Sequence, residues 1–386
     1  MAAVKPSPTG AVLALATRLR AEGRDVISLG TGEPDFDTPS HIKDAAIAAI
    51  NAGQTKYTPI DGTAELKAAI QKKFARENNL VYETSQIVVT CGAKQALFNL
   101  CIALLGPCDE AIVPAPYWVS YPDMVRLAEA EPVIVSGGIE QDFKITPEQL
   151  TAALSDQTRL IFLNSPCNPT GASYSESEMQ ALGATLGDYP DVVIVADDTY
   201  EHIHWDDQPF VSMAAACPAL ADRIVTTIGV SKAYAMTGWR IGYAAGPEAL
   251  IRAMITVQSQ STTNPCSVSQ AAAVAALTGD QTCIAEMVKA YRARHDYVVP
   301  ALNAIPGFEC RPGEGTFYAF PRVQQAIEAC GLEDDVEFTE FLLNEADVAV
   351  VPGTAFGAPG YIRLSFACAM EDLEESVQRI NRAVPA

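Results

Sequence analysis

Residues 229–247 read GVSKAYAMTGWRIGYAAGP. They follow the β-branched run Arg223-Ile-Val-Thr-Thr-Ile228, which has the composition of a buried strand. Lys232 then stands among uncharged neighbours: Ser231, Ala233, Tyr234, Ala235 and Met236. Desolvation there disfavours an ammonium and lowers its pKa. The same shift makes an amine nucleophile, one able to form a Schiff base with an aldehyde. Eight residues further on, after Thr237-Gly238-Trp239, comes Arg240, whose guanidinium can grip a phosphate through parallel hydrogen bonds. An aldehyde and a phosphate are the two ends of pyridoxal 5′-phosphate (PLP). A solvated lysine and a paired arginine between two strands would leave the same letters.

Working outward, the chain upstream alternates apolar strands with helical patterns. Strands are expected at 86–90, 110–114, 132–136, 159–163, 191–196 and 223–228, with helices between them. Thr146-Pro147-Glu148-Gln149 reads as an N-cap with proline at the first helical position, and Ser175-Glu-Ser-Glu178 as a capping box. This alternation predicts a largely parallel sheet covered by helices, with ligands beyond the carboxyl ends of its strands. Gly92, Trp118, Asn168, Asp197, Tyr200 and Lys232 all fall just after expected strand ends, which points to one site. Small residues at Cys91-Gly92-Ala93, between a strand and a helix, let the backbone approach a phosphate at the helix N-terminus. Gly30-Thr-Gly32 is no dinucleotide loop: the third glycine is missing and Pro34 and Pro39 interrupt any helix. Lys5 to Gly10 read as an extended arm before a helix from about Ala11 to Glu22. After Pro247, helices at about 247–260, 265–278 and 281–304 precede short strands near 308–311, 316–320, 348–351 and 361–365, an α+β pattern that reads as a second, smaller domain.

Two charged groups stand out for their apolar settings. Asp197 closes an apolar strand and is suited to hold a proton on a pyridine nitrogen, as PLP chemistry requires. Arg363, in Tyr-Ile-Arg-Leu-Ser-Phe, is a cation in mid-strand, costly unless it meets an anion. A substrate carboxylate or an internal salt bridge would each resolve that cost.

Composition narrows the partners. With 386 residues the chain fits two domains, or one large domain with a cap. A net charge of −21, from 26 basic and 47 acidic residues, argues against nucleic acid or an anionic membrane. No run approaches the roughly 18 apolar residues of a membrane span, and the N-terminal residues lack a signal-peptide pattern. Ten cysteines without a CxxC pair read as reduced thiols of a cytoplasmic protein. His202-Ile-His204 with Asp206 and Asp207 is the one metal-like cluster, and no metal is expected there.

SKAYAMTGWRIGY resembles the PLP-lysine motif of the class I aminotransferases, and the resemblance runs from LGTGEPDFDTP (29–39) to YIRLSFA (361–367). It is strongest to the bacterial aspartate aminotransferase branch that includes aspartate/prephenate enzymes. The resemblance implies an α/β protein of the PLP-transferase fold type I: a large domain with a mostly parallel sheet plus a smaller α+β domain. It implies a division into 1–38 (arm and part of the small domain), 39–280 (large PLP-binding domain) and 281–386 (C-terminal small domain).

By the same resemblance, Lys232 carries the cofactor and moves the proton, with Asp197 on the ring nitrogen. Tyr200 and Asn168 meet the ring oxygen and Trp118 stacks on the ring. Gly92, Ala93, Lys94 and Arg240 surround the phosphate. Gly32 and Arg363 receive the substrate carboxylate, with Trp118 and Asn168 bordering it. Tyr57 reaches the phosphate of a neighbouring subunit, implying a homodimer with shared sites. A lysine in KQALFNL, here Lys94, meets the second carboxylate of an acidic substrate together with Ser7 and Thr9 of the arm. Three positions depart from the family pattern: Asp198 for glutamate, Cys108 for glycine and Thr316 for alanine. The implied activity is ping-pong transamination between an acidic amino acid (aspartate, glutamate, or arogenate with prephenate as its keto form) and 2-oxoglutarate or oxaloacetate. Aromatic or neutral amino acids as substrates, and lyase or decarboxylase chemistry on the same lysine, remain alternatives.

Overall fold

The computed structural model describes residues 8–205 and 209–385. Along the chain the strands are β1 (Ile27–Ser28), β2 (Ile87–Thr90), β3 (Glu110–Ala115), β4 (Glu131–Ser136), β5 (Thr158–Asn164), β6 (Val193–Asp197), β7 (Ile224–Gly229) and β8 (Gly242–Ala245). Four short ones follow: β9 (Tyr318–Ala319), β10 (Val348–Ala349), β11 (Val351–Pro352) and β12 (Ile362–Ser365).

Seven strands form one sheet in the order β2-β8-β7-β6-β5-β3-β4. β8 runs antiparallel to both its neighbours; the remaining pairings are parallel. Every residue of β2, β6, β7 and β8 is buried, as helices on both faces of such a sheet demand. β4 at the edge mixes buried, half-buried and exposed positions instead. On one face Leu97, Leu100, Phe162 and Met254 pack together; on the other lie Ile70, Tyr243 and Ala272 near β2 and β8, and Leu150, Leu182 and Met213 further along.

The expected helix starts hold where their local chemistry is strong. Thr146 and Gln149 cap each other reciprocally, as do Ser175 and Glu178. The first helix differs: it spans Pro8–Ala21, so the extended reading of residues 8–10 is corrected. Proline lacks only an N–H that a first helical turn leaves unbonded anyway, so Pro8 opens the helix.

In the second layer β9, β12 and β11 form an antiparallel trio, while β1 pairs in parallel with β10. Leu29, Tyr200 and Ile203 join Phe317, Phe338 and Leu373 in one apolar core. The N-terminal strand and the turn after β6 are thereby fastened to the C-terminal part of the chain. No helix among the described residues is long and apolar enough to cross a membrane.

Candidate active site

The register of the sheet sets the geometry of its rim. Thr90, Gly242 and Gly229 stand in a row on β2, β8 and β7, so the turns leaving all three strands converge. Gly242 is required there, because a Cβ would run into the backbone of Gly92 and Ala93. Gly92, with φ +84°, then opens the helix Ala93–Leu104 with no side-chain cap, leaving its first N–H groups toward the cleft. A Cβ on Gly92 would collide with the guanidinium of Arg240, which lies directly over this turn. Arg240 donates to Thr237 O at 2.8 Å and Cys91 O at 3.3 Å, and it has no carboxylate partner among the described residues. A cation and a helix N-terminus thus face the same space, the setting of a phosphate site.

A cleft of about 480 Å³ opens beside this turn. Its lining includes Gly32, Ala93, Lys94, Trp118, Asn168, Asp197, Tyr200, Lys232, Arg240 and Arg363, so the sequence-derived candidates do meet. Lys232 lies in the short helix Val230–Ala233 and donates to Gly32 O at 2.5 Å. Burial, reinforced by the charge of Arg363, pushes its amine down to about 8. Asp197, at the end of β6, accepts from the Tyr121 hydroxyl at 2.5 Å and the Thr199 hydroxyl at 2.6 Å. Burial still holds this carboxyl above its usual range, since no cation meets it. A protonated ring nitrogen would supply one.

Arg363 is 2 % exposed. Its Nη1 donates to Asn168 Oδ1 at 3.0 Å and its Nη2 to Gly30 O at 2.7 Å, while Nε has no partner. No carboxylate of the described chain balances the charge, so the internal salt bridge left open by the sequence is absent among the described residues. Burial lowers its pKa accordingly. An incoming carboxylate would satisfy the charge and the free N–H edge together. Lys94 is likewise without an ion pair among the described residues; its Nζ lies 4.8 Å from the centre of the Trp118 ring. Burial and the nearby Arg240 lower its pKa.

Several candidates fall elsewhere. Tyr57 is 92 % exposed and lies outside the cleft, on a loop beside Gln54 and Lys56. Ser7 and the side chain of Thr9 are outside the described residues. Thr316 is buried with φ +67° and does not line the cleft. Asp206 and Asp207 are also outside the described residues, and His202 instead faces Glu77 at 3.0 Å. Glu77, Glu201 and His202 come within 4.8 Å of one another, but Lys73 already forms ion pairs with both carboxylates.

Sequence reading missed Tyr121, Thr199, Tyr318 and Glu33. Thr199 follows Asp197 by two, a turn spacing that marks a carboxylate acceptor. The two tyrosines look like core aromatics in sequence, and Glu33, which accepts from the Thr237 hydroxyl, carries no local mark.

An amine near neutrality, an unpaired arginine over a helix N-terminus and a buried arginine awaiting a carboxylate together define an enzyme site for an amino acid and a phosphorylated group. The family comparison agrees: the model of "Aminotransferase class I and II" matches residues 24–380, and the chain belongs to that family. It is 55 % identical to the aspartate/prephenate aminotransferase of Nitrosomonas europaea over 98 % of this chain and 97 % of that one. It is 53 % identical to the enzyme of the same name from Cereibacter sphaeroides, covering 98 % and 96 %. The crystal structure of the aspartate aminotransferase of Rhizobium meliloti superposes with a TM-score of 0.95 at 47 % identity, covering 99 % and 97 %. That of the Thermus thermophilus enzyme with maleate gives 0.93 at 42 %, covering 99 % and 98 %.

Proposed function

We propose that this protein is a PLP-dependent aminotransferase acting on acidic amino acids, with aspartate as donor and 2-oxoglutarate as acceptor. Prephenate is a further acceptor, as the names of the relatives above suggest. The observation that carries the reading is the buried Arg363, with its unpartnered Nε, in the same cleft as the amine of Lys232. The residues fit the cofactor: Arg240 and the turn Gly92–Lys94 for its phosphate, Lys232 for its carbonyl, Asp197 for its ring nitrogen. Asn168 and Tyr200 serve the ring oxygen, and Trp118 the ring face. When bound, PLP supplies an aldehyde and a ring that accepts the electron pair released at the substrate Cα.

Arg363 and Gly32 orient the α-carboxylate, so that the Cα–H faces Lys232. The Lys232 amine would take this proton and deliver it, across the intervening nitrogen, to the carbon that the cofactor's aldehyde contributes, a role its lowered pKa suits near neutral pH. Asp197 favours a positive ring nitrogen, and its own hydrogen bonds from Tyr121 and Thr199 fix the carboxylate in place. Lys94, with Ser7 and Thr9 of the N-terminal arm, receives the second carboxylate. Residues 1–38 supply the N-terminal arm and part of the small domain, 39–280 the large domain, and 281–386 the rest of the small one. Tyr57, exposed in one chain, completes the phosphate site of a second copy in a cytoplasmic homodimer.

The test is an assay with aspartate in the presence and absence of 2-oxoglutarate. The reading requires sustained oxaloacetate formation only when the acceptor is present, and at most one equivalent per site without it. Sustained turnover of aspartate without any 2-oxo acid would replace it with lyase or decarboxylase chemistry.

A further inference from the structure

Tyr318 lies on β9, whose register places Ser365 of β12 opposite it, so its ring falls beside Arg363. Its backbone N–H donates to Thr316 Oγ1 at 3.2 Å, and Thr316 holds a positive φ of +67°. A β-branched residue in that conformation is strained and is kept there only by its surroundings, here a bond from its N–H to Ile203 O at 2.8 Å. The strand start is therefore rigid, and so is the aromatic ring it carries.

That ring touches three parts of the site at once. Its face lies under the Arg363 guanidinium, 4.4 Å from the centroid. Its hydroxyl is 2.9 Å from the hydroxyl of Tyr200. The same oxygen lies against Gly32, where any Cβ would overlap it, and the carbonyl of Gly32 holds Lys232. Both phenols are buried and stay protonated, burial raising each above its usual range. Either hydroxyl can therefore be the donor in this one hydrogen bond. If Tyr200 donates to Tyr318, it offers the cleft only lone pairs; if Tyr318 donates, the proton of Tyr200 is free to point inward. The charged groups around the pair are Arg363, Lys232 and Asp197. The guanidinium over the Tyr318 ring draws electrons from that phenol and makes it the better donor.

We propose that Tyr318 is a positioning residue with two separable parts: its hydroxyl donates to Tyr200 and turns the Tyr200 proton into the cleft, and its ring supports Arg363 in the orientation that receives a carboxylate. This rests on the reading of the cleft as a PLP site. The hydroxyl acts on the cofactor through Tyr200, and the ring acts on the substrate through Arg363.

The experiment compares the wild type, Tyr318→Phe and Tyr318→Leu as holoenzymes. Folding is checked by circular dichroism and thermal midpoint. The readouts are the apparent pKa of the visible cofactor band and the Kd of maleate by calorimetry. Removing the hydroxyl alone deprives an ionised ring oxygen of support, so Tyr318→Phe raises the band pKa by about 0.5 to 1 pH unit, the order of one hydrogen bond. Its maleate Kd stays within about twofold of wild type, because the ring remains. Tyr318→Leu moves the band pKa equally and weakens maleate about fivefold or more, the order of one cation–π contact. A band pKa unmoved in Tyr318→Phe, or a maleate Kd unmoved in folded Tyr318→Leu, overturns the proposal. A wild type that takes up PLP without any visible band defeats the cofactor reading itself, a result distinct from either.

Discussion

Replacing Arg363 by lysine keeps the charge and removes the fork. In the wild type two N–H groups are committed to Asn168 Oδ1 and Gly30 O, and the free edge including Nε remains for a carboxylate. Two parallel charge-assisted bonds are available along that edge; a lysine ammonium, a compact point charge on a flexible stem, keeps one at most. The loss of one such bond costs ~1.5–3 kcal/mol. That corresponds to a fall of about 10- to 150-fold in kcat/KM for aspartate. Because the α-carboxylate is gripped alike before and during the chemical step, the loss appears mainly in KM, with kcat changed less. Steady-state kinetics with varied aspartate at saturating 2-oxoglutarate measure the split, and maleate binding gives the same interaction without turnover. A KM and a maleate Kd both within twofold of wild type would refute the placement of the carboxylate on Arg363.

Asp197→Ala is expected to leave the cofactor bound by the proposed phosphate turn but to take away the proposed partner of its ring nitrogen. Turnover then falls by about two to three orders of magnitude, given ~3–4 kcal/mol per such interaction, and near-normal rates with PLP confirmed bound would count against that role. Lys94→Ala raises KM for aspartate about tenfold or more, as expected for one lost bond to a charged group, and leaves a neutral amino acid little changed. Equal losses on both substrates would make Lys94 a phosphate or structural residue. Cys108, at φ +73° in an exposed turn, occupies a left-handed conformation that costs a side chain roughly 1–2 kcal/mol. Cys108→Gly is expected to raise the thermal midpoint by about 1–2 °C, the gain being trimmed by the entropy of glycine in the unfolded chain; a lower midpoint would show that the cysteine side chain holds the turn.

Much of the site was legible because ligands gather where parallel strands end. Gly92, Asn168, Asp197 and Lys232 each follow an apolar run, and hydrophobic periodicity alone places such ends on one rim. Arg363 was legible for a different reason: a cation inside the apolar strand β12 needs an anion, and the folded chain provides none within the described residues. The tyrosines were not legible. Tyr121 and Tyr318 are buried aromatics whose hydroxyls acquire meaning only from Asp197 and Tyr200, 76 and 118 positions away. Such pairings are made by the tertiary fold, and no local period records them. The direction of β8 was also hidden, since Gly-Tyr-Ala-Ala has the same composition in either orientation. Resemblance supplied the place of Tyr57, and a single chain leaves that ring 92 % exposed, with nothing of its own to cover it.

Lys232 is the amine proposed to hold the cofactor, and borohydride reduction can locate that amine chemically. Reduction of the C=N bond in the PLP-loaded protein fixes the cofactor mass on one residue, which peptide mapping then locates. A single modified peptide containing Ser231-Lys232-Ala233 is expected, with Lys232→Ala unmodified under the same conditions. Label on Lys94 or any other lysine in the wild type, with Lys232 left free, would contradict it.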